Sequence, residues 1–227
     1  MLPHPTNLET WLAAHPASVI DLRGKRTTHL DLSTGSADLD GHSPATDLPA
    51  FTRRITDLLK QKRADFGYGG YRENRPFYTG DDFVEEGENG PRRRSIHLGL
   101  DIWGPAGTPV LAAYDGKVVE RGVDPTQGGY GNVILLEHQW EEGVLYTLYG
   151  HLAAMQAGPP QAGVNAGQVL GQLGEPEENG GWPPHLHFQV MRELLGYTTD
   201  YPGVAHADEL DEWGYRCPDP GPLLGLR

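Results

Sequence analysis

Short runs of strand-forming residues follow one another closely in the second half of the chain. Each is rich in Val, Ile, Leu, Tyr or Phe, and turn signals such as Gly-Pro, Asp-Gly, Gly-Gly and Glu-Glu-Gly separate them. The runs cover residues 108–114, 116–121, 132–138, 144–149, 168–173 and 185–191. Strands of this length and spacing predict a compact, mainly β unit built on an antiparallel sheet, similar to a sandwich.

Residues 1–90 have a different pattern, which predicts an α+β accessory region before the β unit. Residues 8–14 predict a short helix with Asn7 as its N-cap, and the runs 18–22 and 27–32 predict a hairpin. A longer amphipathic helix follows, with Asp47 as its cap. Its apolar face consists of Leu48, Phe51, Ile55, Leu58 and Leu59.

Two segments flank the β unit. Residues 66–80 are rich in aromatics, glycine and arginine, and they form either a loop pinned to a neighbouring sheet or one wall of a binding groove. The charged segment 81–95 predicts a boundary, so we expect one domain over 91–192. An acidic, aromatic extension over 193–227 should then pack on the surface of that domain.

Composition narrows the classes of function. The chain has 227 residues, a net charge of −13 and one cysteine, Cys217. This charge argues against general binding of nucleic acid, and the absence of a long apolar run argues against membrane insertion. One cysteine permits no intramolecular disulfide, which fits a reducing compartment. The N-terminus lacks a basic leader followed by an apolar run. The sequence as it stands therefore predicts a cytoplasmic location. The tight basic cluster Arg92-Arg93-Arg94 is interpreted as a solvated face, and the sequence gives no indication of oligomeric state.

The strand over 185–191 carries two histidines, His185 and His187, one residue apart. Side chains alternate along a strand, so both imidazoles share one face while Leu186 and Phe188 enter the opposite layer. Such a pair is either two exposed strand histidines or part of a metal site. Other potential ligands in the chain decide between these interpretations.

The residues 97–101 supply such ligands. In an extended conformation His97, Gly99 and Asp101 share one face, and Gly99 leaves space between the imidazole and the carboxylate. Together with one histidine of the His-x-His pair they give two nitrogens and one carboxylate oxygen. Three protein ligands with an open position are typical of a catalytic zinc site. His151, at the end of another strand, is a candidate for proton transfer or oxyanion stabilisation beside it.

These residues resemble the lysostaphin-like, LytM-type zinc metallopeptidases, most of which are peptidoglycan endopeptidases. The similar blocks, in the order of the family, are HLGLD (97–101), GTPV (107–110), AYDGKVV (113–119), GYGN (129–132), YGHL (149–152), GQVLG (167–171) and PHLHF (184–188).

The resemblance implies a site and a reaction. It implies one zinc ion per chain held by His97, Asp101 and His187, with His151 and His185 as a catalytic pair that shares general-base and oxyanion duties. It also implies a groove across an antiparallel sheet. The implied reaction is hydrolysis of peptide bonds by a zinc-activated water, with peptidoglycan cross-links or stem peptides as the favoured substrate.

Three departures from the family keep alternatives open. Members that act on cell walls are usually exported, whereas this sequence shows no export signal. The loop 174–184 is acidic and carries Trp182 where the family more often has a small turn, which should change the substrate that fits. Residues 1–95 and the tail match no wall-binding module. One alternative is a cytosolic zinc hydrolase of a small peptide or amide metabolite. The other is a latent, non-hydrolytic domain that binds metal or peptide, its groove blocked by the N-terminal region, with Glu73 or Asn74 as candidates for a fourth ligand.

Overall fold

The computed structural model describes residues 6–87, 90–126, 128–153 and 155–226. Two predictions concern residues that lie partly outside that description. They are the N-terminus without an export leader, at residues 1–5, and the charged segment 81–95, at residues 88–89. In chain order the elements are α1 (Thr6–Ala14), β1 (Thr27–His29), α2 (Leu48–Gln61), β2 (Phe66–Gly69), β3 (Val84–Gly87), β4 (Gly90–Arg93), β5 (Ile96–His97), β6 (Leu100–Trp103), β7 (Pro109–Leu111), β8 (Gly116–Asp124), β9 (Gly131–Trp140), β10 (Gly143–Leu152), β11 (Gly163–Val164), β12 (Val169–Gln172), β13 (His185–Met191), β14 (Val204–Ala205), α3 (Leu210–Arg216) and α4 (Gly221–Leu224).

One large sheet organises these elements. Eight strands lie in the order β1-β2-β6-β13-β10-β9-β8-β11, and the pairs β12–β7, β14–β5 and β3–β4 form small sheets beside it. All pairs within the large sheet are antiparallel except β1–β2. The predicted mainly β, antiparallel fold is therefore confirmed, and each of the six strand-like runs between residues 108 and 191 contains a strand.

Alternation along the strands separates the core from the functional face. On β13, Leu186, Phe188 and Val190 belong to a large apolar cluster that also includes Leu8 and Leu12 of α1. His185, His187 and Gln189 project from the other face of the same strand, where they are also buried. A second cluster under α2 and a third under the C-terminal extension cover this other face. Polar side chains at the centre of the sheet are thus enclosed from both sides.

The predicted hairpin near the N-terminus is wrong. Residues 18–22 form no strand, and β1 pairs instead with β2, in parallel and with Thr27 opposite Phe66. Parallel neighbours need a crossover connection, and α2 supplies it. In that position α2 buries Phe51, Ile55 and Leu58 in the second cluster. A local hairpin would not bring α2 over the sheet in this way.

Both predicted N-terminal helices are present as α1 and α2. The α1 helix already includes Asn7, so Asn7 is not its N-cap. At α2 the predicted cap is confirmed, because the Asp47 side chain accepts a hydrogen bond from the Ala50 N–H at 2.8 Å. The first two strands of the large sheet come from this N-terminal region, whereas the predicted division at residues 90 and 192 stays a prediction.

The basic cluster Arg92-Arg93-Arg94 remains partly solvated, with Arg93 exposed, but its side chains also make specific contacts. Arg92 pairs with Asp208 and Glu209 of the C-terminal extension, at 2.6 and 3.1 Å. Arg93 donates to the Tyr78 carbonyl at 2.6 Å and Arg94 to the Asp82 carbonyl at 2.5 Å. These arginines therefore connect the segment 78–85 to the rest of the fold. No helix among the described residues is long and apolar enough to span a membrane.

The cap of α2 gives a stability prediction. Asp47→Ala should lower the free energy of unfolding by about 1 kcal/mol, because the Ala50 N–H loses its acceptor. Urea unfolding of the full-length protein, followed by circular dichroism, measures the change. Asp57→Ala is the matched control, since Asp57 is an exposed residue of the same helix with a 3.7 Å contact to Lys60. Equal losses in the two variants would contradict the capping role.

Candidate active site

Three side chains from adjacent strands meet at the centre of the sheet. Register places His187 of β13 opposite Asp101 of β6, and His97 ends β5 just before. The Asp101 Oδ1 atom lies 3.4 Å from both His97 Nε2 and His187 Nδ1, and these two nitrogens are 2.9 Å apart. All three residues are almost completely buried. We call them the His-Asp-His group. Among the described His, Cys, Asp and Glu residues, they alone form a set of three or more with one ligand atom each within 4.8 Å of one another.

Gly99 permits this close approach. A Cβ atom at this position would lie 2.6 Å from Cε1 and Nε2 of His187 and 2.9 Å from the Phe188 carbonyl oxygen. No side chain fits at those distances. The space that the missing side chain leaves next to His97 and Asp101 is therefore occupied by the imidazole of His187 itself.

Hydrogen bonds fix which ring nitrogens face each other. His97 Nδ1 lies 3.0 Å from the Gly70 carbonyl, which can only accept, so this nitrogen carries the proton. His187 Nε2 likewise donates to Gln189 Oε1 at 2.9 Å, and the Gln189 amide nitrogen donates to the Pro202 carbonyl. The remaining nitrogens, His97 Nε2 and His187 Nδ1, then present lone pairs to each other and to the Asp101 carboxylate. Three converging electron pairs without a proton fit a bound cation.

The Asp101 carboxylate is also suited to binding a cation. Its Oδ1 atom is buried and has no hydrogen-bond partner among the described residues, although it points into the His-Asp-His group. Burial alone would raise the pKa of Asp101, but the surrounding histidines and the Arg75 guanidinium hold it well below its usual range. Burial, helped by Arg75, lowers the pKa of His97 to about 4. An ionised carboxylate beside a neutral imidazole is the state that a metal ion requires.

His151 reaches the site because the backbone is irregular there. The β10–β9 register shifts between Tyr149 and Leu152, and His151 has a φ of +64°, in the left-handed region. A bulge of this kind re-aims a side chain next to a functional site. Its backbone is held on both sides, since the His151 N–H donates to the Tyr130 carbonyl and the Gly174 N–H donates to the His151 carbonyl.

His151 and His185 form a second set, which we call the imidazole pair. Their ring centroids are 4.2 Å apart, and Trp103 stacks on His185 at 4.1 Å. His151 Nδ1 donates to the Asn179 carbonyl at 2.7 Å and His185 Nδ1 to the Pro183 carbonyl at 2.8 Å. Each Nε2 atom is therefore an acceptor. Burial lowers the pKa of His185 to about 4 and that of His151 well below the ordinary value, so both rings are neutral.

The loop before β13 differs from the expectation based on its acidic sequence. Glu175, Glu177 and Glu178 are exposed and do not line the cavity at the site. Asn179, fully buried, organises the loop: its Nδ2 donates to the Gly174 and Trp182 carbonyls, and its Oδ1 accepts from the Trp182 N–H. Trp182 itself faces the site, with its ring centroid 5.9 Å from that of His151.

The fourth ligand suggested for a latent domain stays a prediction. Asn74 is exposed, and neither Asn74 nor Glu73 belongs to the His-Asp-His group. The nearby residue that does reach the site is Arg75, whose Nη1 donates to Asp101 Oδ2 at 2.6 Å. Sequence reasoning did not single out Arg75 or Gln189. Alternation along β13 could have placed Gln189 on the face of His187, whereas nothing local connects Arg75 to Asp101.

These groups line one cavity of about 170 Å³. Part of its wall comes from the N-terminal region, through Arg75, Tyr78, Asp82, Phe83 and Arg94, and residues 200–204 of the C-terminal extension form another part. Its aromatic lining consists of Tyr78, Phe83, Tyr130, Trp182 and Tyr201, and its acidic lining away from Asp101 consists of Asp82, Asp124 and Asp200. The aromatic-rich segment 66–80 thus contributes both to the large sheet, through β2, and to the cavity wall.

Several known proteins are similar in sequence to this part of the chain. Residues 95–199 match the model of Peptidase family M23. The DD-carboxypeptidase/endopeptidase Mpg of Neisseria meningitidis is 39% identical over 95 residues, which are 42% of this chain and 20% of that protein. Glycyl-glycine endopeptidase ALE-1 of Staphylococcus capitis is 40% identical over 103 residues, 45% of this chain and 26% of that protein. The chain thus spans about a quarter or less of the length of these relatives.

Solved structures give a similar result at the level of sequence. The catalytic domain of lysostaphin from Staphylococcus simulans is 30% identical, and the match covers 52% of this chain and 80% of that domain, with a TM-score of 0.38. The resemblance that the motifs indicate is confirmed by the family match: residues 95–199 carry the sequence of Peptidase family M23.

Proposed function

We propose that this chain is a zinc-dependent peptidase that hydrolyses peptide bonds in peptidoglycan cross-links or stem peptides. The observation that carries the proposal is the buried His-Asp-His group with the imidazole pair beside it on one cavity. The names of the relatives, a DD-carboxypeptidase/endopeptidase and a glycyl-glycine endopeptidase, support the reaction class and the wall substrate.

His97, Asp101 and His187 would hold the zinc ion. Two imidazole nitrogens and one carboxylate oxygen, with no fourth protein ligand among the residues described, make up a donor set typical of catalytic zinc. The hydrogen bonds from His97 to Gly70 and from His187 to Gln189 are the outer contacts that orient such ligands. When bound, zinc supplies Lewis acidity, which polarises a carbonyl and brings the pKa of a water molecule to about 7.

The imidazole pair would handle the proton. Because His151 and His185 are neutral and keep Nδ1 bonded to a carbonyl, each Nε2 atom is free to accept a proton from the attacking water. A ring that has accepted the proton becomes a donor, which can stabilise the developing oxyanion or return the proton to the leaving amine. Both carbonyl partners belong to the loop before β13, so this loop orients the pair.

The cavity supports a second candidate, hydrolysis of a small soluble peptide or amide. Its walls come from five separated parts of the chain, around residues 75–101, 124–130, 151, 182–187 and 200–204, and its volume of about 170 Å³ suits a short flexible peptide rather than a folded protein. A stem or bridge peptide of peptidoglycan meets the same restriction. The two candidates therefore differ in the source of the peptide and share the chemistry.

Metal binding is the first test of the proposal. The protein purified in zinc should hold about one zinc ion per chain, and chelation followed by zinc addition should remove and restore hydrolysis. Asp101→Ala and His97→Ala should each weaken zinc binding by more than about 100-fold, beyond the loss expected for an outer partner. Competition with a chromophoric chelator measures the affinity. His42→Ala, in the polar loop before α2, is the control; equal affinities in all variants would contradict the ligand assignment.

Substitutions in the imidazole pair should affect turnover without affecting zinc content. His151→Ala and His185→Ala should keep about one zinc ion per chain but lower kcat by about 10²–10⁴-fold, because the proton acceptor is lost while the ligands remain. Turnover of a peptide and zinc content are measured on the same samples. His15→Ala removes an exposed ring that stacks on Trp11 far from the cavity, and it should leave both values unchanged. Full activity of the two site variants would exclude the proposed roles.

The substrate is tested with purified peptidoglycan and with a library of soluble di- to pentapeptides. Products of the zinc-loaded protein are identified by mass spectrometry, with Asp101→Ala as the inactive control. New termini in peptidoglycan peptides are the expected result. Cleavage confined to the soluble library would select the second candidate, and identical product profiles for wild type and control on both substrates would contradict a hydrolytic function.

A further inference from the structure

We infer that Arg75, oriented by Glu73, is a positioning residue that makes Asp101 a ligand through one oxygen only. The inference rests on the proposed metal-dependent function and extends it to a residue outside the span of the family match, residues 95–199. It is based on the different environments of the two carboxylate oxygens of Asp101, one of which is hydrogen-bonded to Arg75 while the other is not.

Arg75 occupies one of those oxygens. Its Nη1 atom lies 2.6 Å from Asp101 Oδ2, and the side chains of the two residues are 2% and 1% exposed. The other oxygen, Oδ1, points to His97 Nε2 and His187 Nδ1 and has no hydrogen-bond partner among the residues the structure describes. A charge-assisted hydrogen bond of this length between buried groups fixes the rotation of the carboxylate.

Glu73 holds the guanidinium in turn. Its Oε2 atom accepts from Arg75 Nε at 2.7 Å, and its Oε1 atom accepts from the Leu32 N–H at 2.9 Å. The backbone is fixed as well, since the Arg75 N–H donates to the Ser95 carbonyl and the His97 N–H donates to the Glu73 carbonyl. A continuous set of hydrogen bonds therefore runs from the N-terminal region through Glu73 and Arg75 to Asp101.

The consequence for the metal follows from coordination. A carboxylate with both oxygens free can bind through both and occupy a position that water or the substrate carbonyl needs. Catalytic zinc sites keep such a position open and gain a ligand in the transition state. With Oδ2 held by Arg75, Asp101 contributes one donor, so the His-Asp-His group keeps its open positions.

A purely structural role for Arg75 makes a different prediction. If Arg75 only compensates the buried negative charge, its removal destabilises the fold but leaves the coordination of a bound ion unchanged. A spectroscopic measurement of the coordination separates the two roles, because stability does not enter it.

The test uses the full-length protein, freed of metal by chelation and reconstituted with Co²⁺, whose visible absorption weakens as its coordination number rises. Arg75→Met should give a weaker and shifted cobalt spectrum than wild type, and zinc X-ray absorption should show an additional oxygen neighbour. Arg75→Lys, which keeps a cationic donor, should move the spectrum back toward wild type. Arg54→Met is the matched control, since Arg54 donates to the Asp38 and Ala37 carbonyls away from the cavity.

The outcomes are distinct. Identical cobalt spectra for wild type and a folded Arg75→Met variant would overturn the inference. If Arg75→Met does not fold, Glu73→Gln takes its place, because it retains the guanidinium and removes its charged partner; a wild-type spectrum in that variant would also overturn it. Failure of the wild-type protein to bind either Co²⁺ or Zn²⁺ would instead contradict the proposed function.

Discussion

The approach of two imidazole nitrogens to 2.9 Å, with a carboxylate oxygen beside them, is the interaction on which the rest of the site depends. Neutral rings whose lone pairs face each other repel unless a cation lies between them. The fold nevertheless keeps His97 and His187 in this arrangement, through carbonyl acceptors at Gly70 and Gln189 and through the absence of a side chain at Gly99. The surrounding strands thus maintain a geometry that is unfavourable in isolation and that a metal ion makes favourable.

This requirement explains the burial of so many polar groups. His151, His185, Arg75 and Asn179 are each 5% exposed or less. Each donates to a backbone carbonyl or a carboxylate, whereas the Arg75 Nη2 atom has no hydrogen-bond partner among the described residues. A buried polar network of this kind stabilises one arrangement of the rings only when its members are satisfied. Its unsatisfied atom at the centre, Asp101 Oδ1, lies where the proposed zinc ion would bind.

The features that the sequence predicts are those encoded within one or two strands. Alternation along β13 separates His185 and His187 from Leu186 and Phe188, and the same period brings His97, Gly99 and Asp101 to one side. Capping of α2 by Asp47 is equally local. The hairpin prediction failed because β1 pairs with residues about 40 positions later, through a crossover whose existence depends on where α2 buries its apolar face. The bulge at His151 and the contact of Arg75 with Asp101 have no local signal, since each depends on the partner strand.

The N-terminal region both orients the proposed ligands and forms part of the cavity wall. Its strand β2 pairs directly with β6, placing Gly69 opposite Asp101, and Gly70 accepts the hydrogen bond from His97. A few residues further on, Tyr78 and Phe83 line the cavity, and Arg93 and Arg94 hold the carbonyls of this segment in place. One part of the cavity wall and several of the contacts that orient the proposed ligands thus belong to one segment of the chain. Arg75, which binds Asp101, and Tyr78, which lines the cavity, are three positions apart in this segment. The same short stretch of chain therefore contributes both to the contacts of the His-Asp-His group and to the cavity wall.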